Sequence, residues 1–292
     1  MLRTRCLAAG MAVALAACQA LAVRTQVKPG FNLFSKQQEI QLGREVAAEA
    51  NKKLTLVRDP QLEGYVRQLG LRLARYSPAP DYPYSFQVVK EKSINAFALP
   101  GGPVYLHTGT IAAADNEAQL AGVMAHEIAH VALRHATNNA SRAMLAQMPL
   151  AILGGAIGSG SVVGQLAQLG ISFGVNSVFL KYSRDAERQA GLVGAQIMYD
   201  AGYDPEEMAK FFEKLQRSER SRSIEFLSSH PNPGNRIELV HNEVRLLGEQ
   251  KYVIDTGPGF ERARSLAAAI SNEPGAERWP DSEQAPSRQQ PY

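Results

Sequence analysis

The sequence predicts an α+β domain, mainly helical, with one small sheet. Three observations carry that reading. Apolar residues recur at spacings of three and four over several separate stretches, the period of a half-buried helix. Strand-like alternation is confined to residues 84–106. His126 and His130 lie four apart in the helix-forming stretch Ala125-His126-Glu127-Ile128-Ala129-His130.

The elements follow in order. Ser35-x-x-Gln38 is a capping box that opens a helix through Ala50. Asp59-Pro60 starts a second, with Leu62, Val66, Leu69 and Leu73 on one side. Tyr84 to Val89 predicts a strand; Asn95 to Leu99 and Val104 to Leu106 predict two more, joined through Pro100-Gly101-Gly102-Pro103. Asn116 to Ala136 is the helix that carries the histidine pair. Asp185 to Tyr199 is another, with Ala186, Ala190, Val193 and Ile197 facing the core. Asp204-Pro205-x-Glu207 caps a helix that places Met208, Phe211, Phe212 and Leu215 on one face. Ile237, Val240, Val244 and Leu247 mark the last clear helix. After Gly257 the chain turns rich in Pro, Ser, Gln and Arg; Phe260 to Ile270 predicts a short docking helix, with disorder from Glu273 onward.

Met144 to Leu180 contains no charged residue and seven glycines. Gln147, Gln165, Gln168 and Asn176 interrupt any clean apolar run of the ~20 residues a membrane span needs. This favours a pair of pliable helices beside the site, a lid touching membrane or substrate, over a transmembrane hairpin.

The chemistry starts at His126-Glu127-x-x-His130. Residues four apart on a helix point to the same side, so two imidazoles can bind one zinc ion. Glu127 beside them can take a proton from a zinc-bound water. A catalytic zinc usually has a third protein ligand. The candidate is Glu187, on the later helix, giving a His₂Glu set; taken alone, Glu187 reads equally as a solvated helix glutamate.

Four blocks together resemble the gluzincin zinc metallopeptidases of the HtpX, BepA and LoiP type, the CaaX prenyl endopeptidase family. They are Asn95-Ala96-Phe97-Ala98-Leu99-Pro100-Gly101-Gly102 with Val104-Tyr105-Leu106; His126-Glu127-x-x-His130 continuing to Arg134-His135; Ser183-Arg184-x-x-Glu187-x-x-Ala190; and His230-Pro231 with Arg236. The resemblance runs from about Phe31 to Leu247 and implies a gluzincin-like domain with its small sheet beside the HExxH helix. It implies one zinc per chain held by His126, His130 and Glu187, with Glu127 as general base. It implies that His230 and Arg236 approach the metal, where His230 either stabilises an oxyanion or takes the fourth zinc position; the plainer reading is a loop histidine before a proline turn. It implies that a peptide substrate pairs as an added strand with an edge formed by Gly102, Val104, Tyr105 and Leu106; a plain hairpin closed by glycines is the alternative. The family's third block usually ends in Asp, where this chain has Gly191, so a carboxylate that orients a zinc-binding imidazole is missing; either another acceptor, Asp185 or a water, substitutes for it, or the site is weaker than usual. His135 reads as a packed or capping histidine rather than a ligand.

Arg3 and Arg5, the apolar stretch Cys6 to Ala17, and Leu15-Ala16-Ala17-Cys18 read as a lipoprotein signal. An ordinary signal peptide cut near Ala17 or Ala20 is the alternative. The expected mature chain is lipid-anchored at Cys18 in the periplasm, with Gln19 after the cysteine pointing to an outer-membrane address. The chain has two cysteines, Cys6 and Cys18. One would leave with the signal and the other be acylated, so the mature chain forms no internal disulfide. The expected division is 1–17 signal, 18–250 zinc metallopeptidase domain and 251–292 tail. The apolar fraction of 45% is ordinary for a globular protein. A formal charge of +3 with no basic, aromatic-laced run gives no argument for nucleic acid. Together these features point to a zinc endopeptidase of the bacterial envelope acting on unfolded or misassembled proteins; the rival is a chaperone-like or scaffold lipoprotein that keeps the zinc fold but cleaves little.

Overall fold

A computed structural model describes residues 24–147, 181–217, 226–231, 235–248, 250–254 and 257–273. The expected signal segment, Cys18, residues 148–180 of the uncharged stretch and the tail beyond 273 lie outside the described residues. No helix among the described residues is long and apolar enough to cross a membrane.

The expected caps form. Helix α1 (Lys36–Lys53) opens on the reciprocal Ser35–Gln38 box, and α2 (Pro60–Ala74) on Asp59, whose carboxylate accepts from the Gln61 and Leu62 amides. Strands β1 (Ser85–Val89), β2 (Ala96–Ala98) and β3 (Pro103–His107) follow, then α3 (Thr108–Ala113), α4 (Glu117–Ala132) and α5 (His135–Gln147). The later helices are α6 (Arg184–Asp200), α7 (Glu206–Arg217), α8 (Phe226–Ser229), α9 (Arg236–Leu247) and α10 (Pro258–Asn272).

Helix α4 is the centre: every one of its residues is buried. Alanine, leucine, valine and methionine run around its whole circumference, the pattern of a core helix rather than a surface one. Around it pack α2, α6, α7 and strand β2. Helix α6 packs along it most extensively, with Gly194 facing His126. A Cβ there would lie 3.3 Å from the His126 backbone nitrogen, so a larger residue would push the two helices apart at the histidines. The far end of α6 is tied to segments distant from it in sequence. Arg24 donates to Asp200 at 2.7 Å, while Gln196 on α6 and the Thr25 amide both donate to Glu243 of α9.

The sheet order is β1-β3-β2, with β1 parallel and β2 antiparallel to β3. The expectation that Val104 to His107 form the sheet edge is therefore corrected. Gly101 and Gly102, at φ of 75° and 129°, turn the chain so that β3 runs back between its two partners, and its backbone is paired on both sides. Among the described residues β2 is the edge on the α4 side. Side chains of β3 alternate across the sheet: Val104 and Leu106 enter the main core, while Tyr105 enters a second cluster under α1 and stacks on Phe97.

A second correction concerns the end of the histidine helix. It stops at Ala132, four residues short of Ala136, and Arg134 takes a left-handed φ of 61° before α5 begins at His135. Such a conformation costs about 1–3 kcal/mol for a residue with a side chain. The buried carboxylate of Glu39 offsets that cost. It accepts from Arg134 Nε at 2.8 Å and also from Tyr82 and Thr137, and a hydrogen bond to a charged group contributes about 1.5–3 kcal/mol.

His107 closes β3 almost fully buried, its Nδ1 2.9 Å from Ser93 Oγ. Burial pushes its pKa down to about 4, against roughly 6.5 in an unfolded chain. Between those values the unfolded chain binds the extra proton. The stability tied to this group is thus complete above pH ~6.5 and is lost as pH falls toward 4, by at most roughly 3 kcal/mol. Denaturant melts should show the parent losing more stability than His107→Gln between pH 7 and 4.5; equal losses would contradict this account.

Candidate metal centre

Two helices build the centre. His126 and His130 stand one turn apart on α4, and Glu187 lies in the first turn of α6, whose N-terminus is capped by the Ser183 hydroxyl. A carboxylate is favoured at that end of a helix dipole. His126 Nε2 lies 3.1 Å from His130 Nε2. The Glu187 carboxylate oxygens lie 3.2 Å from His126 Nε2 and 3.3 Å from His130 Nε2.

These spacings test whether the residues fit zinc. Tetrahedral zinc with bonds of ~2.0–2.1 Å holds its ligand atoms about 3.3–3.4 Å apart. The two imidazole nitrogens lie near that separation from each other, and each lies near it from a different one of the two Glu187 oxygens; the two-nitrogen, one-oxygen set is one that zinc takes. Burial holds His130 well below the usual histidine range, against the pull of Glu187. Burial pushes the Glu187 carboxyl up, but the charges of His230 and His130 and the histidine hydrogen bonds outweigh it and leave it well below the usual range. Neutral imidazole and ionised carboxylate are the forms a metal binds. The group His126, His130, Glu187 and His230 offers four ligand atoms that all lie within 4.8 Å of one another.

His230 follows α8 and is fully buried. Its ring stacks on Phe226 at 4.3 Å, its Nδ1 lies 3.0 Å from Glu187 Oε1 and its Nε2 lies 3.5 Å from Glu127 Oε1. The geometry thus brings Glu127 and His230 together with the three expected ligands. Arg236 begins α9, and its side chain lies outside the described residues. Gly102, Val104, Tyr105 and Leu106 belong to the turn and the central strand, where β1 and β2 already take the backbone of the last three. At Gly191, one turn beyond Glu187, a Cβ would meet nothing within 4 Å among the described residues.

One residue at the centre, Tyr182, escaped sequence reasoning, and a second, His135, lies closer to the centre than its sequence position suggests. Tyr182 stacks on His130 with ring centroids 3.9 Å apart. Burial, then the charges of Glu127 and Glu187, hold its hydroxyl far above the ordinary phenol range, so it stays protonated. The signal for it was slight: an aromatic residue directly before the Ser183 cap. His135 lies with its Nδ1 2.9 Å from His130 Nδ1. Its reading as a packed or capping histidine rather than a ligand fits this contact, which the break at Arg134 shapes. Phe212 and Phe226 wall off His126.

The chain matches Peptidase family M48 over residues 60–244. The beta-barrel assembly-enhancing protease of Escherichia coli (strain K12) is 33% identical over 245 residues, 80% of this chain and 49% of that protein. Its counterpart in Yersinia pestis is 34% identical over 219 residues, 72% of this chain and 44% of that protein. The mitochondrial metalloendopeptidase OMA1 of Schizosaccharomyces pombe is 30% identical over 178 residues, 60% of this chain and 51% of that protein. The chain spans about half the length of these curated relatives.

Glu187→Ala and His126→Ala should each lose bound zinc while remaining folded, because two ligands without the third hold the ion weakly. Elemental analysis of the purified variants measures this. Stoichiometric zinc in folded Glu187→Ala would show that another group, His230 first, completes the set.

Proposed function

The chain belongs to peptidase family M48, and on that premise we propose that it is a zinc-dependent endopeptidase of the bacterial cell envelope that cleaves unfolded or misassembled proteins, with Glu127 as general base. It is a metallopeptidase by family. The envelope address, substrate class and residue roles are our reading. The observation that carries it is the convergence of His126, His130 and Glu187 at tetrahedral spacing beside a buried glutamate.

When bound, zinc supplies a more acidic water and a polarised scissile carbonyl. His126 Nε2, His130 Nε2 and a Glu187 oxygen would hold it. Glu127 accepts the water proton at a carboxylate oxygen and delivers it to the leaving nitrogen. His230 Nε2, 3.5 Å from Glu127 Oε1, offsets the charge that develops on the carbonyl oxygen or takes the remaining ligand position; Arg236 shares the first role. An extended peptide adds to a sheet edge through backbone hydrogen bonds, which hold it without reading its side chains. With Val104, Tyr105 and Leu106 occupied in the central strand, the edge that suits this is β2, and Gly102 shapes the turn behind it.

The names of the bacterial relatives, proteases that enhance β-barrel assembly, support protein substrates of the envelope. The lipoprotein reading of Leu15-Ala16-Ala17-Cys18 supports a lipid anchor at Cys18 and attachment to the outer membrane. One feature favours a second reading, a weakly active chaperone-like lipoprotein: among the described residues nothing lies within 4 Å of a Cβ built at Gly191, where resembling enzymes carry a carboxylate.

Glu127→Gln should keep zinc and fold while casein cleavage falls by at least 100-fold, the lower end of a general base's contribution. Equal cleavage by variant and parent would sink the mechanism, and negligible cleavage by a zinc-loaded parent would favour the chaperone reading. Cys18→Ala should abolish incorporation of labelled palmitate in cells; incorporation unchanged by the substitution would remove the lipid anchor.

A further inference from the structure

The contact between His130 and His135 continues into a polar chain. With His130 Nε2 turned to the metal position, its ring proton sits on Nδ1 and is donated to His135 Nδ1, 2.9 Å away. His135 then carries its proton on Nε2, which lies 3.2 Å from Gln189 Oε1. Gln189 Nε2 donates to Asp185 Oδ2 at 2.7 Å. Because an ionised carboxylate only accepts, the direction of every bond is fixed from the far end, and with it the tautomer of both rings.

The backbone is shaped to make this contact. On an uninterrupted helix residue 135 would lie about 140° around the axis from residue 130, facing away from it. The left-handed Arg134 swings His135 back instead, and the buried Glu39 carboxylate holds Arg134 in place. Tyr182, stacked on His130, closes the other side of the ring.

We propose that His135 is a positioning residue for the metal centre. It holds His130 in one tautomer and orientation and makes Nε2 a better donor to zinc, with the Glu39–Arg134 turn keeping it there. This rests on the reading of His130 as a zinc ligand. Partners that orient a ligating imidazole in this way are typically worth 10–100-fold in metal affinity.

The test is zinc affinity of the full chain by competition with a chelator, with circular dichroism reporting the fold. His135→Phe keeps a ring but no acceptor and should bind zinc 10–100-fold more weakly. His135→Asn, whose amide oxygen stands where Nδ1 stood, should recover part of the loss. In the zinc-loaded parent the His130 Nδ1 proton should give a downfield proton resonance that survives Glu127→Gln and disappears in His135→Phe; a merely structural His135 would not move it. If His135→Phe does not fold, Gln189→Leu decides, because it removes the next acceptor and leaves the turn alone: a severalfold weaker affinity supports the proposal and parental affinity overturns it. Parental affinity in a folded His135→Phe, with zinc lost in His130→Ala, overturns the proposal and leaves the ligand reading standing. Zinc retained in His130→Ala overturns both.

Discussion

The constraint on which the structure depends is that four polar, ionisable side chains sit at the centre of an apolar core. His126, Glu127, His130 and Glu187 are essentially without solvent contact. An isolated charge in such a place costs far more than the net stability of a domain. The cost is tolerable because the groups face one another, and because a divalent cation suits all of them at once. The rest of the fold follows from keeping that arrangement dry and still: a helix apolar on every side, a glycine that lets α6 close against it, and stacked aromatic rings at its ends.

Rigidity comes from polar ties between elements distant in sequence. Glu39 of α1 reaches Arg134 and Thr137; Glu117 of α4 accepts from the hydroxyls of Tyr65 on α2 and Tyr203 after α6. Each buried carboxylate gathers several donors, the condition under which burying it stabilises a particular geometry. Apolar packing alone would bring α4 and α6 together, whereas such ties also fix where each helix ends.

What was legible in the sequence was local. The i, i+4 histidine pair, the Ser35 and Asp59 caps and the helix faces depend on neighbours a few residues away, so periodicity and capping chemistry reveal them. Glu187 was legible only beside the motif, since a lone glutamate on a helix looks like any solvated one. What was not legible depended on distant partners. Arg134 breaks its helix because Glu39 is waiting for it, 95 residues earlier. The central place of β3 follows from β1 pairing with it rather than with β2, and alternation cannot reveal strand order. Tyr182 has no periodic signature; its role comes from the ring it happens to cover.

The ties at the far end of α6 bear on when the centre comes into being. The helix that delivers Glu187 is fastened by Arg24 and Thr25, which precede every helix described, and by Glu243 of α9, which follows it. Contacts so distant in sequence form late, because the intervening loop must close first. The helix pair His126/His130 is a local feature, whereas the docked Glu187 carboxylate depends on these long-range ties. The geometry of the centre thus depends on contacts far from it in sequence.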